Sequence, residues 1–117
     1  MDPPLEVCVI SANDKLVGKV NSCITRIYPQ AKIGNYTLQI QVEELFENSG
    51  SLSPNMIITD GTCRYGENQT PIYYGKIYSL ARRIPLINPT PWGVFIPYFL
   101  ERKLRDMPIV KTISDDV

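Results

Sequence analysis

The chain has 117 residues, a mass of 13.3 kDa and 44% hydrophobic residues, which is the size and composition of one globular domain. Twelve basic and twelve acidic side chains cancel, and no apolar run approaches the roughly 20 residues that a membrane-spanning helix needs. Residues Met1 to Pro4 lack the basic flank and apolar stretch of a signal peptide. We therefore expect a single domain over residues 1–117 that is neither secreted nor embedded in a membrane.

The first predicted strand covers Lys15 to Tyr28. Apolar residues recur at Leu16, Val20 and Ile24, and the alternation then shifts at Ile27. A change of parity within a strand is typical of a bulge or a sharp bend. Gly18, near the start of this segment, is interpreted as a point of close backbone approach in a coiled strand.

The second predicted strand, Tyr36 to Glu43, has the strictest alternation in the chain. Its apolar members, Leu38, Ile40 and Val42 among them, would face the core. Its polar members form a wall of hydrogen-bonding side chains on the other face: Thr37, Gln39, Gln41 and Glu43.

Three further strands and one helix complete the prediction. The strands are Met56 to Thr59, Tyr74 to Ile84 and Trp92 to Ile96, and Asp60-Gly61 marks a turn after the first of them. The only good helix candidate is Tyr98 to Asp106. Five short strands with a bent first strand indicate an all-β fold with little helix, namely a five-stranded OB-fold barrel with a C-terminal helix.

Catalysis and metal binding find little support in the sequence. The chain has no histidine, which removes the usual general base, and its three cysteines (Cys8, Cys23, Cys63) form no CxxC pair. We expect the thiols to be buried structural residues. Gly61 and Gly66 have the spacing of a phosphate-binding loop, but Glu67 stands where that loop needs lysine. We expect no enzyme activity, no cofactor and no metal.

Charge and aromatic residues concentrate in residues 61–105. This segment carries seven basic and two acidic side chains, a net charge of +5, and eight of the eleven aromatic residues. Cations interleaved with rings suit single-stranded nucleic acid, because cations follow the phosphates while rings stack on the bases. The alternative is that the rings belong to the core, and this interpretation is favoured for Tyr36, Phe95, Tyr98 and Phe99. Arg102-Lys103-Leu104-Arg105 is interpreted as a solvated helix face rather than a phosphate clamp.

Four stretches resemble the single-stranded-DNA-binding OB domains of protection-of-telomeres and ciliate telomere end-binding proteins. They are Pro3-Pro4-Leu5 leading to Leu16-Val17-Gly18-Lys19-Val20, then Lys32 to Ile40, Gly75 to Arg83, and Trp92-Gly93-Val94-Phe95. The likeness covers roughly residues 3 to 100. The chain departs from the family at Lys76, where the family usually has aspartate, and at Gln41-Val42-Glu43-Glu44, which replaces an aspartate-rich strand end.

The resemblance implies a monomer that binds G-rich telomeric single-stranded DNA in the nucleus, at chromosome ends, alone or beside other telomere proteins. An OB barrel binds its ligand across strands two and three and the flanking loops. Residues expected there are Tyr28, Lys32, Asn35, Thr37, Gln39, Gln41, Arg64, Tyr65, Arg82, Arg83, Asn88 and Trp92. Trp92, between Pro91 and Gly93, is the preferred stacking ring. The alternative function is that of a protein-interaction subunit in a telomere or replication complex.

Overall fold

Two short apolar runs, residues 7–10 and 56–58, form the centre of a parallel sheet. Every residue of both runs is buried, because helices cover both faces of the sheet. The computed structural model describes residues 5–48 and 54–106. Pro3 and Pro4, which contribute to the family resemblance, lie outside the described residues.

The elements alternate between strand and helix along most of the chain. The strands are β1 (Glu6–Ile10), β2 (Lys32–Tyr36), β3 (Met56–Thr59), β4 (Thr62–Tyr65), β5 (Thr70–Tyr73) and β6 (Leu86–Ile87). The helices are α1 (Asp14–Ile27), α2 (Gln39–Asn48) and α3 (Pro97–Asp106), and a 3₁₀ helix covers Gly75–Arg82.

The main sheet has the strand order β2-β1-β3-β6, and all its pairs are parallel. Cys8 of β1, for example, lies between Gly34 of β2 and Ile57 of β3. Strands β4 and β5 form a separate antiparallel hairpin. This is an α/β fold with an open sheet, and the prediction of an all-β, five-stranded OB barrel is wrong.

Each face of the sheet has its own hydrophobic core. Helices α1 and α3 cover one face, where Val20, Ile24, Leu100 and Leu104 pack against Val7, Val9 and Ile58. Helix α2 and the 3₁₀ helix cover the other, where Val42, Leu45, Ile77 and Leu80 pack against Cys8, Ile10 and Ile57. The predicted burial of the three cysteines is confirmed, and all three are free thiols.

Helix α1 replaces the predicted bent first strand. Its spacing of four residues between Leu16, Val20 and Ile24 fits both a strand and a helix, but Val17 and Cys23 are buried as well, which only a helical period explains. Asn13 begins the helix, since its side-chain Oδ1 accepts the N–H of Leu16 at 3.2 Å. The apparent shift of the strand alternation at Ile27 is therefore a consequence of the helical period.

The predicted second strand divides between two elements. Tyr36 ends β2, and residues from Gln39 onwards form α2, so the alternation over Tyr36 to Glu43 does not describe one strand. Val42 is fully buried, whereas Ile40 is 63% exposed, because a helix places residues two positions apart on different sides.

Two other predicted strands are also absent. Most of Tyr74 to Ile84 forms the 3₁₀ helix, which buries Ile77 and Leu80 at a spacing of three. Residues 92–96 contain no strand, and four of these five side chains lie exposed ahead of α3. The predicted strand Met56 to Thr59 and the C-terminal helix are confirmed, the latter beginning one residue earlier at Pro97.

Candidate functional site

The residues predicted to bind DNA do not share one surface. Lys32 and Asn35 are exposed on β2, which is one edge strand of the main sheet. Arg82 and Arg83 are exposed at the end of the 3₁₀ helix, which directly precedes β6, the opposite edge strand. Trp92 lies in the loop before α3. The scatter follows directly from the open α/β topology, because an OB barrel would have brought strands two and three and their flanking loops together.

The predicted polar wall instead stabilises the start of α2. The side-chain Oε1 of Gln41 accepts the backbone N–H groups of Thr37 and Leu38, each at 3.0 Å. Gln39 Nε2 donates to Glu43 Oε1 at 2.9 Å. The two bonds to Gln41 satisfy backbone N–H groups at the N-terminus of the helix, which have no partner within the helix.

Several other predicted site residues have partners within the chain. Tyr28 Oη donates to the carbonyl of Leu104 at 3.3 Å, joining the end of α1 to α3. Asn88 Oδ1 accepts the N–H and hydroxyl of Thr90 at 2.9 and 3.1 Å and so fixes a turn. Tyr65 is 59% exposed at the end of β4. It lines a groove together with Ile40, Glu43, Arg64 and Glu67.

A crevice opens where the chain leaves β1 and β3 in different directions. The carboxyl ends of these adjacent parallel strands are the place where doubly wound sheets usually bind ligands. The opening measures about 630 Å³. Its lining includes Asn13, Asp14, Lys15, Asp60, Thr62 and Arg64.

A hydrogen-bonded network fills the base of this crevice. The Asp60 carboxylate accepts the Ser11 hydroxyl at 3.0 Å, the Thr62 N–H at 3.0 Å and the Thr62 hydroxyl at 2.7 Å. Thr62 Oγ1 in turn accepts the N–H of Ala12 at 2.9 Å. The network therefore joins the ends of β1 and β3 to the hairpin.

Arg64, one of the residues predicted to bind DNA, also bonds to the segment between β1 and α1 and to the first residue of α1. Its Nε and Nη2 donate to the carbonyl of Ala12 at 3.3 and 3.1 Å, and Nη2 lies 3.0 Å from Asp14 Oδ2. The polar groups that line the crevice are thus largely bonded to one another. Their hydrogen bonds hold the end of β1, the start of α1 and the hairpin together.

The layer formed by α1 and α3 is basic and carries exposed rings. The two helices together contain six basic and three acidic residues, whereas α2 contains Glu43, Glu44 and Glu47 and no basic residue. We call the exposed rings and cations of this layer the α1–α3 surface. They are Lys19, Arg26, Trp92, Tyr98, Arg102, Lys103 and Arg105, whereas the sixth cation, Lys15, lines the crevice described above.

Sequence reasoning did not place Tyr98 on a binding surface. Tyr98 is 71% exposed and Trp92 67%, so neither ring belongs to the core. Trp92 meets the half-buried Phe99 edge to face at 5.2 Å between ring centroids, which orients the indole without covering it. Lys103 Nζ lies 5.6 Å from the Phe99 centroid. The helical spacing of Tyr98, Arg102 and Arg105 was the available signal, because it places them on one face of α3.

Two ion pairs moderate the positive charge of this layer. Arg26 Nη1 lies 2.7 Å from Glu101 Oε1, and Arg102 Nε lies 4.0 Å from Asp106 Oδ2. No such pair is recorded for Lys19, Lys103 or Arg105 within the described part of the chain. The helices α1 and α3 keep a net charge of +3, opposite in sign to that of α2.

Within residues 5–48 and 54–106, no group of three or more Cys, Asp or Glu side chains could hold a metal ion. No helix in this part of the chain has the length and apolar character needed to cross a membrane.

No protein-family model matches the chain, and comparison with curated proteins and with solved structures gives no significant match.

Proposed function

We propose that this domain binds single-stranded DNA on the α1–α3 surface, as a binding module without catalysis or cofactor. The observation that carries the proposal is the exposure of Trp92 and Tyr98 on the basic layer of the molecule. Exposed rings offer stacking surfaces to bases, and neighbouring cations neutralise phosphates. The proposal keeps the ligand predicted from the sequence and moves its site from a barrel face to a helical layer.

The rings and cations are close enough in the fold to act together. Tyr98, Arg102 and Arg105 are spaced by four and three residues on α3, so they follow one another along one side of the helix. Trp92 is held against Phe99 of the same helix. A strand crossing α3 would therefore meet both a ring and a guanidinium group within one or two helical turns.

The telomeric repeat, the nuclear location and the monomeric state remain predictions from the family resemblance. The resemblance selects a G-rich strand as the first oligonucleotide to test. The alternative, a protein-interaction subunit, would use the same exposed rings, because Trp, Tyr and Arg are also enriched where proteins bind one another. Binding measurements with nucleic acid distinguish the two.

The test is fluorescence anisotropy with labelled oligonucleotides of about 12 nucleotides, within the range of known single-strand sites. A G-rich strand, a strand of scrambled sequence and the matching duplex are compared. We expect Trp92→Ala and Tyr98→Ala each to weaken single-strand binding by about 1–3 kcal/mol, the usual contribution of a base–aromatic stack. Because both rings are exposed, thermal stability should change little.

The matched control is Tyr65→Ala. Tyr65 is a similarly exposed ring, but it lies beside acidic residues on the hairpin. Its removal should leave affinity unchanged. If Tyr65→Ala weakens binding as much as Trp92→Ala does, the site is not the α1–α3 surface. If neither single strand binds the wild-type protein, the proposed function is wrong and the protein-interaction alternative takes its place.

A further inference from the structure

A cleft between α1 and the segment leading into α3 lies within the α1–α3 surface. It has a volume of about 340 Å³. One wall is a single face of α1, since Lys19, Ser22, Cys23 and Arg26 follow the helical spacing i, i+3, i+4 and i+7. Phe95 and Pro97 form the other wall. None of these residues is among those predicted from the sequence to bind DNA, and Cys23 and Phe95 are predicted to be buried.

We infer that this cleft accepts one nucleobase of the bound strand, an inference that rests on the proposed function. The walls suit a flat, largely apolar ring. Phe95 is half-buried against the core and Cys23 is 2% exposed, so both are fixed in position. Burial, and then the nearby Glu101, raise the pKa of the Cys23 thiol. The Cys23 thiol is therefore uncharged near neutral pH.

The rim supplies the contacts that a nucleotide needs beyond its ring. Lys19 and Arg26 are exposed cations at the rim, where the phosphates on either side of an inserted base would lie. Lys19 supplies the stronger attraction, because Arg26 is also paired with Glu101 at 2.7 Å. The Ser22 hydroxyl donates to the carbonyl of Gly18 at 3.0 Å, so its oxygen remains able to accept an N–H from the edge of a base. An apolar protein side chain would use the walls but not the two cations.

The cleft residues Phe95 and Pro97 are also close in the chain to the stacking rings. Trp92 precedes Phe95 by three residues, and Tyr98 directly follows Pro97. A strand held by these two rings would therefore lie near the segment that forms one wall of the cleft. Inserting one base while its neighbours stack outside is an arrangement that single strands permit, because their bases are free to turn out of the stack.

The experiment combines abasic scanning of the oligonucleotide with a variant that fills the cleft. Each nucleotide of a labelled single strand is replaced in turn by an abasic site, and binding is measured by anisotropy. Removal of the inserted base should weaken binding by about 5- to 150-fold, the equivalent of one stacked base. Ser22→Leu, which places a larger side chain in the cleft, should weaken binding of the intact strand by a similar factor.

The decisive measurement is the combination of the two changes. If the base occupies the cleft, Ser22→Leu and the sensitive abasic position remove the same contact, and their effects will not multiply. Thr25→Leu is the control, because Thr25 is exposed on the same helix and does not line the cleft. This variant should bind the intact strand as the wild type does, and circular dichroism and Tm check that both variants fold.

Failure of this inference can be separated from failure of the proposed function. If the wild type binds the strand while Ser22→Leu has no effect, or while the two effects multiply, the cleft is not a base site and the surface proposal stands. If the wild type binds no single strand, both proposals are overturned.

Discussion

At the scale of single residues, Asp60 shows how one side chain can hold several elements together. Its carboxylate accepts three hydrogen bonds, from Ser11 after β1 and from the backbone and side chain of Thr62 at the start of β4. The sequence identified Asp60-Gly61 as a turn, and the tight connection from β3 to β4 confirms it. Gly61 is required in this turn, since its φ is +85° and an added Cβ would lie 2.7 Å from the Tyr73 ring.

Asp60→Ala should lower the free energy of unfolding by about 2–3 kcal/mol. Hydrogen bonds to a charged group contribute more than neutral ones, and the Ser11 hydroxyl, in a residue only 1% exposed, would lose its acceptor. Urea unfolding measures the change. Asp60→Asn retains an acceptor for the Thr62 N–H and should cost less. Equal stability of Asp60→Ala and the wild type would show that the network contributes nothing to the joint.

At the scale of elements, α1 combines a well-formed start with a weak centre. Asn13 caps the helix, Asp14 lies in the first turn and Arg26 in the last, as the helix dipole favours. Gly18, interpreted from the sequence as a point of close approach, instead occupies an exposed position with nothing within 4 Å of an added Cβ. Nothing in the packing therefore requires glycine there.

Gly18→Ala should stabilise the protein by about 0.5–1 kcal/mol, because alanine loses less backbone entropy in a helix than glycine does. The gain would appear as a higher midpoint in urea with an unchanged m value. Gly93→Ala provides the contrast. Space is open at that position too, but a φ of +81° disfavours any side chain, so this variant should be less stable than the wild type. If Gly18→Ala were less stable than the wild type, the added methyl group would not lie in open space as the structure shows.

At the scale of the whole molecule, zero net charge conceals an uneven distribution of charge. The α1 and α3 layer is basic, whereas the layer on the other face combines the acidic α2 with the 3₁₀ helix, which carries Lys76 and Arg82. Physiological salt screens charges over roughly 8–10 Å. A polyanion that approaches one layer therefore responds mainly to the charges of that layer rather than to the net charge of the protein. A neutral protein can therefore bind DNA on one side.

The salt dependence of binding should report how many cations contact phosphate. Each phosphate neutralised on a single strand contributes about −0.7 to the slope of log affinity against log salt. Three to five contacts on the α1–α3 surface predict a slope of about −2 to −3.5. Substituting both Arg102 and Arg105 by Gln should make the slope shallower by about 1.4. Substituting both Arg82 and Arg83, which the barrel model placed at the site, should leave it unchanged. If the Arg82 and Arg83 substitutions changed the slope and the Arg102 and Arg105 substitutions did not, the phosphate contacts would lie at the end of the 3₁₀ helix.

The sequence by itself determined those features that depend on local composition. Met56 to Thr59 begins with three apolar residues and lies between turn-forming residues, and Tyr98 to Asp106 has good helix formers with leucines four apart, so both elements were predictable. Burial of the cysteines followed from the lack of any pairing motif or histidine. The concentration of rings and cations in residues 61–105 was also visible before the fold was known.

Only the tertiary structure decided between helix and strand in the first half of the chain, and therefore where a site could form. Apolar residues four apart satisfy periods of 2 and of 3.6, and the segment following Tyr36 alternates perfectly yet becomes a helix once Val42 and Leu45 pack on the sheet. The same parallel topology separates Lys32 from Arg82 and brings α1 beside α3. Side chains meet according to which elements pack together, and that packing is a property of the whole chain rather than of any segment.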